Sequence, residues 1–187
     1  LGETLRAKLA VMHREGDGPF KDKNGGGFAP APGNPGGTLN NPVVDPPVRE
    51  DAWTARGILV WEPTDSLTVD LIGEYIDAEY GGNASRILQA RPPLTSGLGY
   101  TPPKFGFETD HDGLGFSTLE TKRGVLEVNW EIGGGLLTSV SAYRHLDYLT
   151  NGDNDGTPFT ILHFPDNTAD SKQFTQELRF VTDITSN

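Results

Sequence analysis

Two short stretches gather side chains of the kind that hold metals or move protons. Asp110-His111-Asp112 sets two carboxylates around an imidazole, and Asn151-Gly152-Asp153-Asn154-Asp155-Gly156 begins like a calcium loop. A calcium loop of the helix–loop–helix type needs a bidentate Glu at its twelfth position and a helix on each side. Counted from Asp153, that position is Phe164, so the stretch reads as a Gly/Asp turn. Asp110-His111-Asp112 reads as a polar loop tip. His13, His111, His145 and His163 are scattered and match no metal spacing such as HExxH. The chain lacks GxSxG, P-loop and GxGxxG patterns, and it has no Cys to serve as nucleophile or thiolate ligand. No catalytic residue, metal centre or cofactor is expected, and the chain does not read as an enzyme. A hydrolase would need convergent carboxylates or a nucleophile beside its base.

The chemistry that remains is recognition. Net charge is −11, which argues against nucleic acid as a partner, because that binding depends on Lys and Arg neutralising phosphates. Three long segments, 15–50, 80–118 and 150–171, concentrate Gly, Pro and Asn, and the first of them is expected to hold no regular element. Joins this long usually carry function, and loops on a rigid scaffold are where ligands are met. Their aromatic residues Phe28, Tyr100, Phe105, Phe107 and Phe159 are therefore the candidate ligand contacts.

Six stretches must position those loops: 4–14, 51–62, 67–79, 119–132, 136–149 and 172–182. Each alternates apolar and polar residues with the period of two that marks a strand. Leu5, Ala7, Leu9 and Val11 oppose Arg6, Lys8 and Arg14. Ala55, Gly57, Leu59 and Trp61 oppose Thr54, Arg56 and Glu62, with Ile58 and Val60 mixed in. Leu67, Val69, Leu71, Gly73 and Tyr75 oppose Thr68, Asp70, Glu74 and Ala78. Gly124, Leu126, Val128, Trp130 and Ile132 oppose Arg123, Glu127, Asn129 and Glu131. In the fifth stretch Leu136, Thr138, Val140 and Ala142 are expected to face outward, against Ser139, Ser141, Tyr143 and His145. In the sixth, Phe174, Leu178 and Phe180 oppose Thr175, Glu177 and Arg179. The joins 63–66 and 133–135 are short, with Pro63 and Gly133-Gly134-Gly135 suited to tight turns.

Long and short joins in alternation are the plan of an outer-membrane β-barrel, with extracellular loops on one side and tight turns on the other. No run approaches the ~18 apolar residues of a membrane helix, but a barrel strand needs only about 9–11 and buries one face in lipid. The other face would line a wet lumen, where Arg56, Glu74, Arg123, Glu127, Glu177 and Arg179 are the lumen-facing candidates. Trp61 and Trp130 beside the short turns suggest one aromatic girdle, and Trp53, Tyr75, Tyr80, Tyr143 and Tyr148 a second at the loop end. The rival reading is a secreted soluble β-sandwich that binds carbohydrate or protein through its loops. It accounts for the acidity and the 35% hydrophobic content, but not for aromatics sorted by height.

Three segments resemble TonB-dependent outer-membrane receptors. Leu59-Val60-Trp61-Glu62-Pro63-Thr64-Asp65-Ser66-Leu67 resembles that family's strand–turn–strand "LxWxPTDxLxV". Leu136-Leu137-Thr138-Ser139-Val140-Ser141-Ala142-Tyr143-Arg144 resembles its "LTSxTxYR" strand, and Phe174-Thr175-Gln176-Glu177-Leu178-Arg179-Phe180 its "xSQELRL" strand. The resemblance implies an all-β fold, with about six antiparallel strands from the middle of a 22-stranded transmembrane barrel. Residues 1–187 would be a partial barrel, without the plug domain, the TonB box or the remaining strands. It further implies a place in the bacterial outer membrane, in contact with its lipid. The function implied is uptake of a scarce small-molecule nutrient (siderophore-bound iron, cobalamin or a glycan), energised by the TonB complex through the absent plug.

Overall fold

The computed structural model describes residues 4–18, 20–22, 50–82, 85, 87, 101, 102, 106–109, 111, 115–157, 159 and 161–182. Among them the chain is all-β, without helices. Six long strands form one antiparallel sheet: β1 (Leu5–Gly16), β3 (Glu50–Thr64), β4 (Leu67–Gly81), β6 (Phe116–Ile132), β7 (Gly135–Asp153) and β8 (His163–Thr182). Their spatial order is β1-β3-β4-β6-β7-β8, so each long strand pairs with the next long strand in sequence. The sheet is open, with β1 and β8 as its two edges. Two short strands, β2 (Lys21–Asp22) and β5 (Glu108–Thr109), form a separate parallel pair. That pair corrects the expectation that 15–50 holds no regular element; two paired residues need little propensity.

The turns follow from backbone chemistry. Asp65 and Ser66 close the β3–β4 hairpin, and the register between these strands shifts between Trp61 and Thr64. That irregularity accommodates Pro63, which cannot donate to a ladder. Gly133 and Gly134 close the β6–β7 hairpin with φ of 61° and 77°. Two consecutive positive φ values define the hairpin turn whose twist matches the flanking strands.

Register decides which side chains share a face, because directly opposed residues of an antiparallel pair point the same way. Gly57 faces Leu9 and Gly73, Gly73 faces Gly124, Gly124 faces Tyr143, and Tyr143 faces Phe174. Nearer the short turns, Leu59, Leu71 and Leu126 line up, then Trp61, Val69 and Val128, then Leu67, Trp130, Leu137 and Phe180. Together they make an apolar face. The opposite face is mixed: Ile58, Ile72, Val125 and Ala142 form one row of it, and charged residues form the rows on either side.

The fifth stretch faces opposite to expectation. Ser139 and Ser141 of β7 sit among the apolar row partners Val128 and Leu126, whereas Val140 lies between Glu127 and Glu177 on the mixed face. The even-numbered face of β7 carries more apolar residues (Leu136, Val140, Ala142, Leu146, Tyr148) than the odd-numbered one (Leu137, Tyr143, Leu149), so its own pattern does not choose the observed face. The hydrogen-bonded register with β6 does, and a one-residue slip would invert every side chain.

Little of this sheet is buried in the ordinary sense. The buried hydrophobic residues among those described are Ala52 and Ala78, which face each other on the mixed side. Leu9, Trp61, Leu71, Trp130, Phe174 and Leu178 are all exposed on the apolar side, Leu178 by 69%.

Candidate functional site

The long joins leave the sheet at the end opposite the two tight hairpins, and three of their described segments pack together there. His111 is fully buried, and its Nε2 lies 2.7 Å from the Ser85 carbonyl oxygen, to which the ring donates. Ser85 Oγ in turn donates to the carbonyl of Asp153 at 3.4 Å. One imidazole and one hydroxyl thus tie the segment after β4, the segment before β6 and the end of β7. Gly82 and Gly115 permit this approach: a Cβ on Gly82 would lie 2.7 Å from the Gly115 backbone, and one on Gly115 would lie 2.2 Å from the Asn151 carbonyl oxygen and 2.3 Å from Gly152 Cα. The ring Nε2 is turned to the Ser85 carbonyl rather than to the Ser85 hydroxyl, which lies 3.4 Å away. Asp110 and Asp112, the flanking carboxylates of the triplet, lie outside the described residues.

The calcium-like stretch is a turn built on carboxylates. Asp153 Oδ1 accepts from the Asp155 and Gly156 amides at 2.8 and 3.3 Å. Asp155 Oδ1 accepts from the Thr157 amide at 3.0 Å and from the Thr157 hydroxyl. Its Oδ2 accepts from the amides of Leu162 and Ile161 at 2.8 and 3.3 Å. These oxygens satisfy backbone donors that would otherwise be orphaned at the loop tip.

Of the five loop aromatics, Phe28, Tyr100 and Phe105 lie outside the described residues. Phe107 is 65% exposed and packs edge-on against Phe20, with ring centroids 5.7 Å apart. Phe159 is half-buried, and its amide donates to Thr157 Oγ1 within the turn just described. Phe107 therefore presents a ring to solvent, whereas the backbone of Phe159 helps to close the turn. Sequence reasoning missed Phe20, His111 as a buried tie, and the two close-approach glycines. Gly82 and Gly115 at the ends of one long join were the available signal.

All six charged candidates fall on the mixed face: Arg56, Glu74, Arg123, Glu127, Glu177 and Arg179. Arg123 reaches Glu74 of the neighbouring strand at 3.7 Å. Glu127 Oε1 accepts from Asn129 Nδ2 at 2.8 Å, and Asn129 Oδ1 accepts from the Thr138 hydroxyl at 2.8 Å. Arg179 and Glu177 approach along their own strand to 4.0 Å, both exposed. Such exposed pairs order side chains more than they stabilise the fold.

Charges on the apolar face are confined to its loop-side end. They begin at the row Tyr75, Lys122, His145 and Lys172, followed by Asp77, Glu120, Asp147 and Asp170. Tyr75 donates to Glu120 at 2.9 Å, and Lys122 donates to the same carboxylate at 2.7 Å. His145, Asp147 and Asp170 bring one ligand-type atom each to within 4.8 Å of one another, with Lys172 3.6 Å from Asp170. These groups are exposed or half-buried, and the lysines compete with a cation for the carboxylates. At the outer edge, His13 stacks on Trp53 at 4.1 Å and bonds Asp51 at 2.9 Å.

The aromatics sort less cleanly than expected. Trp53, Trp61, Trp130, Tyr75 and Tyr143 lie on the apolar face, but Tyr80 and Tyr148 lie on the mixed face, because their even numbers put them one residue out of phase with it. No protein-family model matches the chain, and none of the curated proteins or solved structures compared with it does so either.

Proposed function

We propose that this sheet is part of the wall of an outer-membrane β-barrel, from a TonB-dependent receptor that takes up a scarce nutrient. One observation carries the reading. The apolar face is an uncharged band of limited height, running along β4 from Leu67 to Tyr75 and along β6 from Ile132 to Gly124. That is about nine residues of strand, close to the ~9–11 that a tilted strand needs to cross the hydrocarbon. Tryptophans border the band at the turn side, and charges begin where it ends. Water-soluble monomers rarely expose apolar patches beyond a few hundred Å². A sandwich would cover this face with a second sheet, and the second sheet among the described residues has two residues per strand.

The open edges agree with a partial wall. Six strands are too few for a 22-stranded barrel, in which strand number and diameter are linked, so β1 and β8 would pair with further strands. All three family-like segments lie on the strands: one spans the β3–β4 hairpin, one lies in β7 and one in β8. In this reading the strands are a rigid frame and the mixed face lines the lumen. The joined loops at Ser85, His111 and Asp153 form part of the extracellular mouth. The cargo would be a siderophore–iron complex, cobalamin or a glycan, and TonB would act through a plug domain.

Flotation tests the reading. The chain refolded with phospholipid vesicles should rise with them in a density gradient and resist an alkaline carbonate wash. A monodisperse, detergent-free monomer that stays at the bottom of the gradient would refute it.

A further inference from the structure

Midway along the strands, the mixed face carries a row of arginines. Arg56 on β3 faces Glu74 on β4, Glu74 faces Arg123 on β6, Arg123 faces Arg144 on β7, and Arg144 faces Gln173 on β8. Three guanidinium groups and one carboxylate give the row a formal charge of +2, in a chain whose net charge is −11. Arg123 and Arg144 are directly opposed, and like charges so placed destabilise a strand pair. Glu74 is within ion-pair distance of Arg123, while Arg56 and Arg144 have no ion-pair partner among the described residues.

The neighbouring rows do not neutralise the charge. Toward the short turns lie Lys8, Ile58, Ile72, Val125, Ala142 and Thr175, and toward the loops Met12, Thr54, Ile76, Thr121, Leu146 and Ser171. Neither row holds a carboxylate. The nearest acidic row on this face is Asp70, Glu127 and Glu177, four residues along the strands. Four residues is about 13 Å, beyond the ~8–10 Å screening length of physiological salt. All three guanidiniums are exposed and open to a ligand.

We infer that the Arg56–Arg123–Arg144 row is a binding site for a carboxylate-bearing solute. Guanidinium presents a planar fork that matches carboxylate through two parallel hydrogen bonds. Adjacent strands stand about 4.8 Å apart, so Arg123 and Arg144 can engage two carboxylates of one small molecule. The bound anion offsets the repulsion between them. Glu74 holds Arg123 in place and keeps the site from excess charge. The inference rests on the proposed receptor in one respect only, that this face lines the route of the cargo; the affinity itself is a property of the row.

Citrate is the probe, with sucrose as the uncharged control. Each is titrated into the 187-residue chain in non-ionic detergent micelles, followed by calorimetry and by NMR of the arginine Nε–Hε groups. Saturable citrate binding is expected, with shifts at three arginine signals that Arg56→Gln, Arg123→Gln and Arg144→Gln each remove. The Arg123→Gln/Arg144→Gln double variant should bind about tenfold more weakly or worse, since charge-assisted hydrogen bonds are lost. Arg14→Gln, on the same face but outside the row, should leave binding within about twofold. Without citrate, Arg144→Gln should melt no lower than the parent, because a repulsion is removed; citrate should raise the melting point of the parent and not of the double variant. Absence of saturable binding overturns the inference, and so does equal weakening by Arg14→Gln, which would mean diffuse attraction. Vesicle flotation of the same preparations reads membrane insertion separately. Citrate binding by a chain that fails to float leaves the row standing and removes the barrel, whereas flotation without citrate binding does the reverse.

Discussion

Leu126 and Thr175 carry the contrast on which this account depends. Leu126 is 39% exposed in the middle of the apolar band, and Thr175 is exposed on the mixed face. Leu126→Arg should cost about 2–4 kcal/mol in bilayers, because an ion near the midplane of the lipid face loses its hydration. Thr175→Lys should change stability by about 0.5 kcal/mol or less, as for an exposed site away from packing. Urea unfolding of vesicle-embedded protein measures both. Gly134 gives a second test, with φ of +77° in the β6–β7 turn. Gly134→Ala should cost about 1–2 kcal/mol, since a Cβ is strained in that region, and Gly134→Asn should cost less. The tight turns were legible because Gly and Pro act through local sterics. The placement of Ser139 and Ser141 was not, because it is fixed by partners on β6 and β8 rather than by β7 itself.

Among the elements, the long strands were the most legible, since a period of two persists whatever the strand packs against. Their ends were less so. β8 begins at His163, well before 172, and it includes Pro165, Asp166 and Asn167. Those residues read as loop, but β8 is an edge strand, where a missing N–H costs no ladder bond, and the register shift between Thr150 and Gly152 lies beside Pro165. The loop-side packing of Ser85, His111 and Asp153 was invisible in sequence because its contacts join residues far apart in the chain. Gly115→Ala tests it: the added Cβ would press on the backbone of Asn151 and Gly152. Amide exchange should accelerate at 115–119 and 150–153 while the middles of β6 and β7 stay protected. Unchanged exchange at both segments would mean that the close approach is not what holds the loops.

For the whole molecule, the central claim is that one face of this sheet meets lipid. The membrane, the receptor and its cargo could not be read from any single residue, because they depend on which face is covered and by what. Trp61 and Trp130 lie within the apolar band, whereas Trp53 sits on the same face at its charged, loop-side end beside Asp77, so in a Trp53→Phe background the emission reports on that claim alone. The most direct measurement is quenching of tryptophan emission in vesicles by lipids brominated along their acyl chains, set against acrylamide in water. The account predicts strong quenching by the brominated lipids and weak quenching by acrylamide, with Trp61→Phe and Trp130→Phe each removing part of the lipid-quenched signal. Emission that acrylamide quenches freely and brominated lipids leave unchanged would contradict it.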